Sequence, residues 1–311
     1  MVSKLIPEYV RNRAQVEPKR PLGPFKTDAG AYAAAPASGL RVTWFGHSSL
    51  LVEIDGMRVL IDPVWEHSAS PFQFMGPKRF FAPTMKLEEL PRIDVVLISH
   101  DHYDHLGAET VGRLSRLAFG AKWVTSLGVG ERLRRFGVAA EQITELNWTE
   151  SVAIGAQPGG LRFTAWPSRH FSGRGLFDRF TTLWSSFVIE GPEHRVFYGA
   201  DSGIWDGFGE IAAQYDGFDV TMLEIGAFHP LWSSIHLGPD NAALAFEAMG
   251  GRGLLMPIHW GLFNLALHAW DQPIERMLEI AAERELPLWF PSPGEPTEVV
   301  AGVGLRSVWW R

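Results

Sequence analysis

The chain has 311 residues, 46% of them hydrophobic and 20% charged, and it contains no cysteine. A chain this long buries roughly 75% of the surface its unfolded form exposes, so no disulfide or metal is needed merely to fold it. The missing thiol excludes a disulfide framework, a Cys-based zinc finger, a thiol nucleophile and an iron–sulfur cluster, and the formal net charge of −7 lacks the basic excess of a nucleic-acid-binding protein.

Residues 1–36 carry Pro, Ala and Arg without periodicity and read as an irregular N-terminal arm. They hold no apolar run of the kind that marks a secretory signal, and nowhere does the chain approach 18 uninterrupted apolar residues, so a cytoplasmic protein is expected. From Leu40 the texture changes. Arg41–Phe45, Leu50–Ile54 and Arg58–Ile61 are β-prone, and Asp55-Gly56 predicts a hairpin between the last two. Ile93–Ser99 is almost continuously apolar, as a strand buried on both faces should be, and a helix near Thr110–Phe119 leads to a strand at Lys122–Thr125. Arg132, Arg134 and Arg135 read as a solvated helix face. Strands are then expected at Leu161–Ala165, Trp184–Glu190, Arg195–Tyr198, Asp219–Glu224 and Leu254–Pro257. The helix Pro239–Met249 has Pro in its first turn and Gly250-Gly251 as its stop. The helix Asp271–Glu285 has an Asp N-cap candidate and an apolar stripe at Ile274, Met277, Leu278 and Ala281. Strands followed by helices, twice over, predict a layered α/β protein whose two similar halves form one domain, residues 37–311.

The most informative stretch is Ser99-His100-Asp101-His102-Tyr103-Asp104-His105-Leu106, which sets four potential metal ligands within six residues, directly after the buried strand. In extended backbone, side chains at i and i+2 share a face, so His100 and His102 can grip one ion together. A turn then lets Asp104 and His105 point at a second position. Imidazole with carboxylate suits zinc, iron or manganese. Asp101 falls out of this spacing and reads as solvent-facing or as a partner behind a ligand.

The H-x-H-x-D-H pattern resembles the signature of the metallo-β-lactamase superfamily, and the resemblance extends over residues of about 40–295. It implies a four-layer αββα fold. It also implies a third histidine, a bridging aspartate and a last histidine at later strand ends, which fit His170 in Pro167-Ser-Arg-His170, Asp201 in Tyr198-Gly-Ala-Asp-Ser-Gly203, and His259 in Met256-Pro-Ile-His-Trp-Gly261. Within the superfamily, Trp44-Phe-Gly-His-Ser48, Ser70-Pro-Phe-Gln-Phe-Met-Gly-Pro-Lys-Arg-Phe80, Ile225-Gly-Ala-Phe228, His236-x2-Pro239 and His259-Trp-Gly-Leu-Phe263 look like the N-acylphosphatidylethanolamine-hydrolysing phospholipase D group.

That resemblance implies two divalent metal ions, zinc first, with iron or manganese as alternatives. His100, His102 and His170 would hold one, Asp104, His105 and His259 the other, with Asp201 between them. The implied reaction is hydrolysis of a lipid or lipid-like phosphodiester by a hydroxide bridging the metals. The alternative is a lactonase or other acyl hydrolase on the same metals. Asp104 would orient the attacking hydroxide. His236 would bind phosphate or protonate the leaving group, against the alternative that it caps the helix at Pro239. His47 and Asp62 are expected to orient metal ligands. Gln73, Phe74, Trp232 and Trp260 are candidate substrate contacts, as part of a wider aromatic set with Phe72, Phe171, Phe177, Phe228 and Phe263. For Lys78 and Arg79 a lipid headgroup and solvent are both open as partners, and the role of His229 is open. No nucleic acid is expected as a partner; peripheral membrane contact and a homodimer both fit.

Overall fold

The computed structural model describes residues 15–117, 120–155 and 159–311. The first fourteen residues of the arm and the expected helix end at Ala118 and Phe119 lie outside the described residues. In chain order the elements are β1 (Leu40–Gly46), β2 (Ser49–Ile54), β3 (Met57–Ile61), β4 (Val95–Ile98), α1 (Ala108–Arg116), β5 (Lys122–Ser126), α2 (Gly130–Arg135), β6 (Ile143–Leu146), β7 (Ser151–Ile154), β8 (Leu161–Pro167), β9 (Ser185–Glu190), β10 (Arg195–Tyr198), α3 (Gly207–Ala212), β11 (Val220–Glu224), α4 (Gly238–Ala248), β12 (Leu254–Ile258), α5 (Gln272–Glu283), β13 (Trp289–Phe290), β14 (Thr297–Glu298) and β15 (Leu305–Arg306).

Two large sheets run β14-β1-β2-β3-β4-β5-β6 and β12-β11-β10-β9-β8-β7. Apolar side chains alternate along β2–β4 as the two-residue strand period demands. Val52, Val59, Ile61, Val95 and Leu97 join the cluster shared with the second sheet, whereas Leu51, Leu60, Val96 and Ile98 turn to the outer face. There they meet Val111 and Leu114 of α1 and Leu133 of α2. On the far side, Ala242 and Phe246 of α4 and Ile274 and Met277 of α5 cover the second sheet. Helices, sheet, sheet, helices: this is the expected αββα layering, in a chain that buries both faces of its central strands.

The halves repeat in their pairing. β1-β2-β3 and β8-β9-β10 are antiparallel meanders, and β3-β4-β5 and β10-β11-β12 continue them in parallel. Asp55 (φ 48°) and Gly56 (φ 83°) make the expected β2–β3 turn. Asp55 also accepts bonds from the backbone N–H of Glu193 and His194 and from His194 Nδ1 at 2.6 Å, tying the first meander to the second.

Several boundaries differ from the sequence expectation. α5 begins at Gln272 with Asp271 as its N-cap residue, as expected, although Asp271 lies in the αR region (φ −99°, ψ −12°) and its side chain makes no capping hydrogen bond. The short strands β6 and β7, which edge the two sheets, carry half-buried mixed residues and gave no apolar signal. The tail past residue 295 returns to pair β14 with β1, where Glu298 accepts the N–H groups of Ala37 and Ser38. Arg132 turns inward to Asp101 and Asp178, while Arg134 and Arg135 stay on the solvated face against Glu131. Among the described residues no helix is long and apolar enough to cross a membrane.

Phe163 of β8 is fully buried in the shared core, and Arg162 beside it points to solvent. Phe163→Ala is expected to lower unfolding free energy by about 3–5 kcal/mol, and Arg162→Ala by no more than about 0.5 kcal/mol. Urea unfolding reads both, as a fall in midpoint without a change in slope.

Candidate metal centre

The candidate residues sit at the carboxyl ends of strands from both sheets, the edge where open α/β sheets carry their sites. His47 occupies the β1–β2 turn, just past a bulge at Trp44/Gly46. Asp62 follows β3, His100 to His105 follow β4, His170 follows β8, Asp201 follows β10, Glu224 ends β11, His236 precedes α4 and His259 follows β12. Reaching this edge bends the backbone: His47, Asp62, Ala200, Ala227 and His259 have φ of 54°, 38°, 48°, 52° and 62°. Each such residue costs on the order of 1–3 kcal/mol, so the surrounding packing must hold them. Gly226 is obligatory here, because a Cβ would lie 1.9 Å from the carbonyl oxygen of His259.

Two groups of donor atoms result. In the first, His102 Nδ1 lies 3.0 Å from His100 Nε2 and 3.2 Å from His170 Nε2, and Asp201 Oδ2 lies 3.8 and 3.5 Å from those two. In the second, Asp104 Oδ2 lies 3.5 Å from His105 Nε2 and 3.2 Å from His259 Nε2. Asp201 reaches this group as well, Oδ1 at 3.1 Å from His105 Nε2 and Oδ2 at 3.1 Å from His259 Nε2. A tetrahedral ion with ligands at about 2.0–2.1 Å separates its donors by roughly 3.3 Å. The observed separations bracket that value, and Asp201 faces both groups. His105 Nε2 and Asp201 Oδ1 are buried and make no hydrogen bond among the described residues despite their 3.1 Å approach. Nitrogen and oxygen donors converging in this way fit a pair of divalent cations.

Three of the inward nitrogens, on His100, His105 and His170, have their rings held from behind. His100 Nδ1 meets Ser99 Oγ at 2.9 Å, and His170 Nδ1 donates to the Ile235 carbonyl at 2.9 Å. His105 Nδ1 donates to Asp62 Oδ2 at 2.7 Å, and that oxygen also accepts from Ser99 Oγ and Tyr198 OH, each at 2.5 Å. His47 Nε2 stands 2.9 Å from Asp104 Oδ2. His47 and Asp62 thus stand directly behind the candidate ligands Asp104 and His105.

The electrostatics divide the histidines. Burial drives His100 and His170 well below the usual imidazole range, and burial followed by the neighbouring His259 takes His47 down to about 3. For His105 and His259 burial pulls the same way but is outweighed, mainly by Asp201 and Asp104; His105 is held well above its usual value and His259 up to about 10. In the absence of cations, protons on these two rings balance the buried carboxylates.

A cleft of about 340 Å³ opens on the centre, lined by the polar His102, Asp104, His170, Asp201, His236 and His259 together with the apolar Phe171, Ala227, Trp232, Ile235 and Leu265. Trp232 is therefore where a substrate contact was expected. Three other expectations are corrected. Trp260 is 2% exposed and stacks on both Trp44 and Trp309 in a three-ring cluster, so it belongs to the core. Gln73 folds back on its own loop, accepting from the Ser68 N–H at 3.1 Å. Phe74 is 76% exposed and does not line the cleft. Asp101 is fully buried, not solvent-facing, and accepts from the Gly173 N–H at 2.8 Å. His236 is no helix cap, since its Nδ1 donates to Glu224 Oε2 at 2.6 Å. Sequence reasoning missed Glu224; the available signal was an acid ending the otherwise apolar strand Val220-Thr-Met-Leu-Glu224. A larger depression of about 760 Å³, lined by Glu190, Arg195, Asp219 and Arg252 among others, lies at the opposite ends of β10–β12.

Known proteins are similar to this chain in sequence and fold. The family profile described as "Beta-lactamase superfamily domain" matches residues 57–260. An uncharacterised protein of Mycobacterium tuberculosis is 42% identical over 294 residues, covering 94% of this chain and 77% of its own. The N-acyl-phosphatidylethanolamine-hydrolyzing phospholipase D 1 of Caenorhabditis elegans is 37% identical over 257 residues, covering 80% of this chain and 71% of the relative. Among solved structures, the metallo hydrolase Igni18 of Ignicoccus hospitalis superposes with a TM-score of 0.62 at 23% identity, covering 83% of this chain and 97% of that one. With the profile matching well over half of its length, this chain belongs to the beta-lactamase superfamily.

Proposed function

We propose that this metal-dependent hydrolase of the metallo-β-lactamase superfamily is a dinuclear phosphodiesterase acting on a lipid or lipid-like phosphodiester, in the manner of an N-acylphosphatidylethanolamine phospholipase D. The observation that carries the reading is the pair of donor groups joined at Asp201, opening on a cleft with an apolar wall. The 37% identity to the C. elegans phospholipase D supports the substrate class. So do the exposed apolar side chains on loops that follow the strand ends, among them Phe72, Met75, Leu176 (90% exposed) and Phe177 (98% exposed). A cleft of about 340 Å³ is at the small end of ligand pockets. It suits a phosphodiester with the first carbons of its chain.

In this reading His100, His102, His170 and Asp201 hold one zinc-class cation and Asp104, His105, His259 and Asp201 the other. Bound there, the two cations supply Lewis acidity, lowering the pKa of a water from about 15.7 to about 7 and drawing charge off a phosphoryl oxygen. The residues do the rest. Neutral His47 donates Nε2–H to Asp104, which leaves that carboxylate able to accept a hydrogen bond from the attacking water and set its direction. His236, on the cleft wall, gives a proton to the departing oxygen. Phe171, Trp232 and Leu265 exclude water around the chain.

Three outcomes are expected. Metal analysis should find about two divalent ions per wild-type chain, and Asp104→Ala should lose about 10²–10³-fold in kcat/KM. In a panel of p-nitrophenyl phosphodiester, N-acyl lactone and N-acylphosphatidylethanolamine, turnover of the lactone alone would overturn the phosphodiesterase reading in favour of an acyl hydrolase. Asp62→Asn, which disturbs the acceptor behind His105, should weaken metal binding by about 10–100-fold and leave the unfolding midpoint of the metal-free chain closer to wild type than its metal affinity.

The pH dependence has a definite sign. His105 and His259 carry protons at neutral pH when no cation is present, and metal must displace them. Metal uptake at pH 7 should therefore release protons, and affinity should climb with pH until His259 titrates, near pH 10. Calorimetry in buffers of different ionisation heat measures the release directly; a buffer-independent heat would contradict it.

A further inference from the structure

Glu224 is a fully buried carboxylate at the last position of β11, a place where an apolar residue would continue the strand without any charge to compensate. Burying a carboxylate is costly unless its lone pairs are taken, and here they are. Oε1 accepts the backbone N–H of Ser202 at 2.7 Å and of Leu237 at 3.2 Å. Oε2 accepts Nδ1–H of His236 at 2.6 Å. Ser202 adjoins Asp201, and Leu237 adjoins His236, so this carboxylate is fixed by the two segments that bring the metal groups and the cleft wall together.

The His236 ring is held on its other side as well. Its centroid lies 5.0 Å from that of His170 and 5.4 Å from that of His259. The residue before it, Ile235, offers its carbonyl to His170 Nδ1. The side chain keeps 12% exposure and lines the cleft. With Nδ1 engaged by Glu224, the nitrogen available to the cleft is Nε2. Which ring nitrogen of a histidine is free is set by the bond the other one makes.

We infer that Glu224 is a positioning residue, whose carboxylate takes Nδ1–H of the His236 imidazolium and fixes the ring direction so that Nε2–H meets the leaving-group oxygen. The inference rests on the phosphodiester reading and on His236 serving that oxygen. In the step concerned, water adds its oxygen to phosphorus and yields one proton to solvent. The bond between phosphorus and the leaving oxygen breaks with its electron pair on that oxygen. The same oxygen takes the proton from Nε2 of the His236 imidazolium, which leaves a neutral ring with Nδ1–H still on Glu224, and solvent restores the Nε2 proton. Glu224 keeps its charge throughout and exchanges no proton.

A leaving group that is stable as an anion needs no such proton, whereas an alkoxide does. The test compares kcat/KM for a p-nitrophenyl phosphodiester and an alkyl phosphodiester on single preparations of metal-loaded wild type, Glu224→Gln and His236→Asn. The alkyl-to-aryl ratio cancels any loss of folded or active protein. Glu224→Gln is expected to lower that ratio by about 10²-fold, the scale of general-acid assistance, with metal content still at the wild-type value. The double variant should fall no lower than His236→Asn alone. An unchanged ratio in Glu224→Gln beside a lowered ratio in His236→Asn overturns the role of Glu224 and leaves the His236 reading standing. Unchanged ratios in both variants overturn the His236 reading and the inference with it. Metal loss in Glu224→Gln with an unchanged ratio assigns Glu224 to His259, whose Nδ1 lies 3.7 Å away, and overturns the inference.

Discussion

Buried negative charge is the constraint around which this protein is organised. Asp62, Asp201 and Glu224 are at most 2% exposed, and the Asp104 side chain is 13% exposed, all against one cluster of histidines. Left uncompensated, each anion would cost several kcal/mol to keep out of water. The sequence answers with imidazole at every approach: His105 between Asp62, Asp104 and Asp201; His259 between Asp104, Asp201 and Glu224; His47 behind Asp104; His236 behind Glu224. The left-handed strand ends at His47, Asp62 and His259 follow from the same requirement. They aim side chains at a point that ordinary strand geometry would miss, and the αββα packing supplies the stability that this bending consumes.

The repeat between the halves explains how the cluster is assembled and where it departs from symmetry. The third strand of each meander, β3 and β10, delivers an aspartate to the common edge: Asp62 directly after β3, Asp201 three residues after β10. Asp62 accepts hydrogen bonds from the Ser99 backbone N–H and Oγ, from Tyr198 and from His105. Asp201 has a buried oxygen without a hydrogen bond among the described residues and faces both donor groups. Equivalent places in the fold thus carry different chemistry, decided by whether neighbouring hydroxyls fill the carboxylate's lone pairs. β11 adds a third acid, Glu224, where the corresponding strand β4 leads into Ser99.

Most of the layering was legible in the sequence because buried strands must be apolar and alternating faces must be filled. β4, β10 and β11 stood out for that reason, as did α4, bracketed by Pro239 and the left-handed Gly250 and Gly251. The short edges β6 and β7 did not, because half-buried Ile143–Leu146 and Ser151–Ile154 carry too little apolar contrast. At the site, the compact His100–His105 motif was legible because metal chemistry restricts residue type and spacing together. Trp260 misled because proximity in sequence to His259 does not fix direction: after a left-handed residue the next side chain turns into the Trp44–Trp309 stack. Glu224 was illegible because a lone acid at a strand end carries no meaning until its partner His236, twelve residues on, is seen beside it.

Asp101 shows how the motif reaches beyond the candidate metal ligands. Its carboxylate accepts the Gly173 N–H and faces Arg132 at 3.5 Å, while Arg132 donates to Asp178 Oδ2 at 2.6 Å. Arg174 donates to the carbonyls of Asp101 and Leu106, each at 2.7 Å, and lies 3.9 Å over the Tyr103 ring. Tyr103 OH in turn donates to the Arg174 carbonyl at 2.9 Å. Fixing a surface loop costs roughly 1–2 kcal/mol per residue in backbone entropy, and the apolar tip of this one, Leu176 and Phe177, contributes almost no burial to offset it. The polar clamp must therefore hold the loop, and it is anchored on the same eight residues that carry His100, His102, Asp104 and His105. A change in how that motif sits would be passed through Asp101 and Tyr103 to the loop that bears Phe171, the apolar wall of the cleft. The candidate metal site and the apolar lining of the cleft are in this way one mechanical unit.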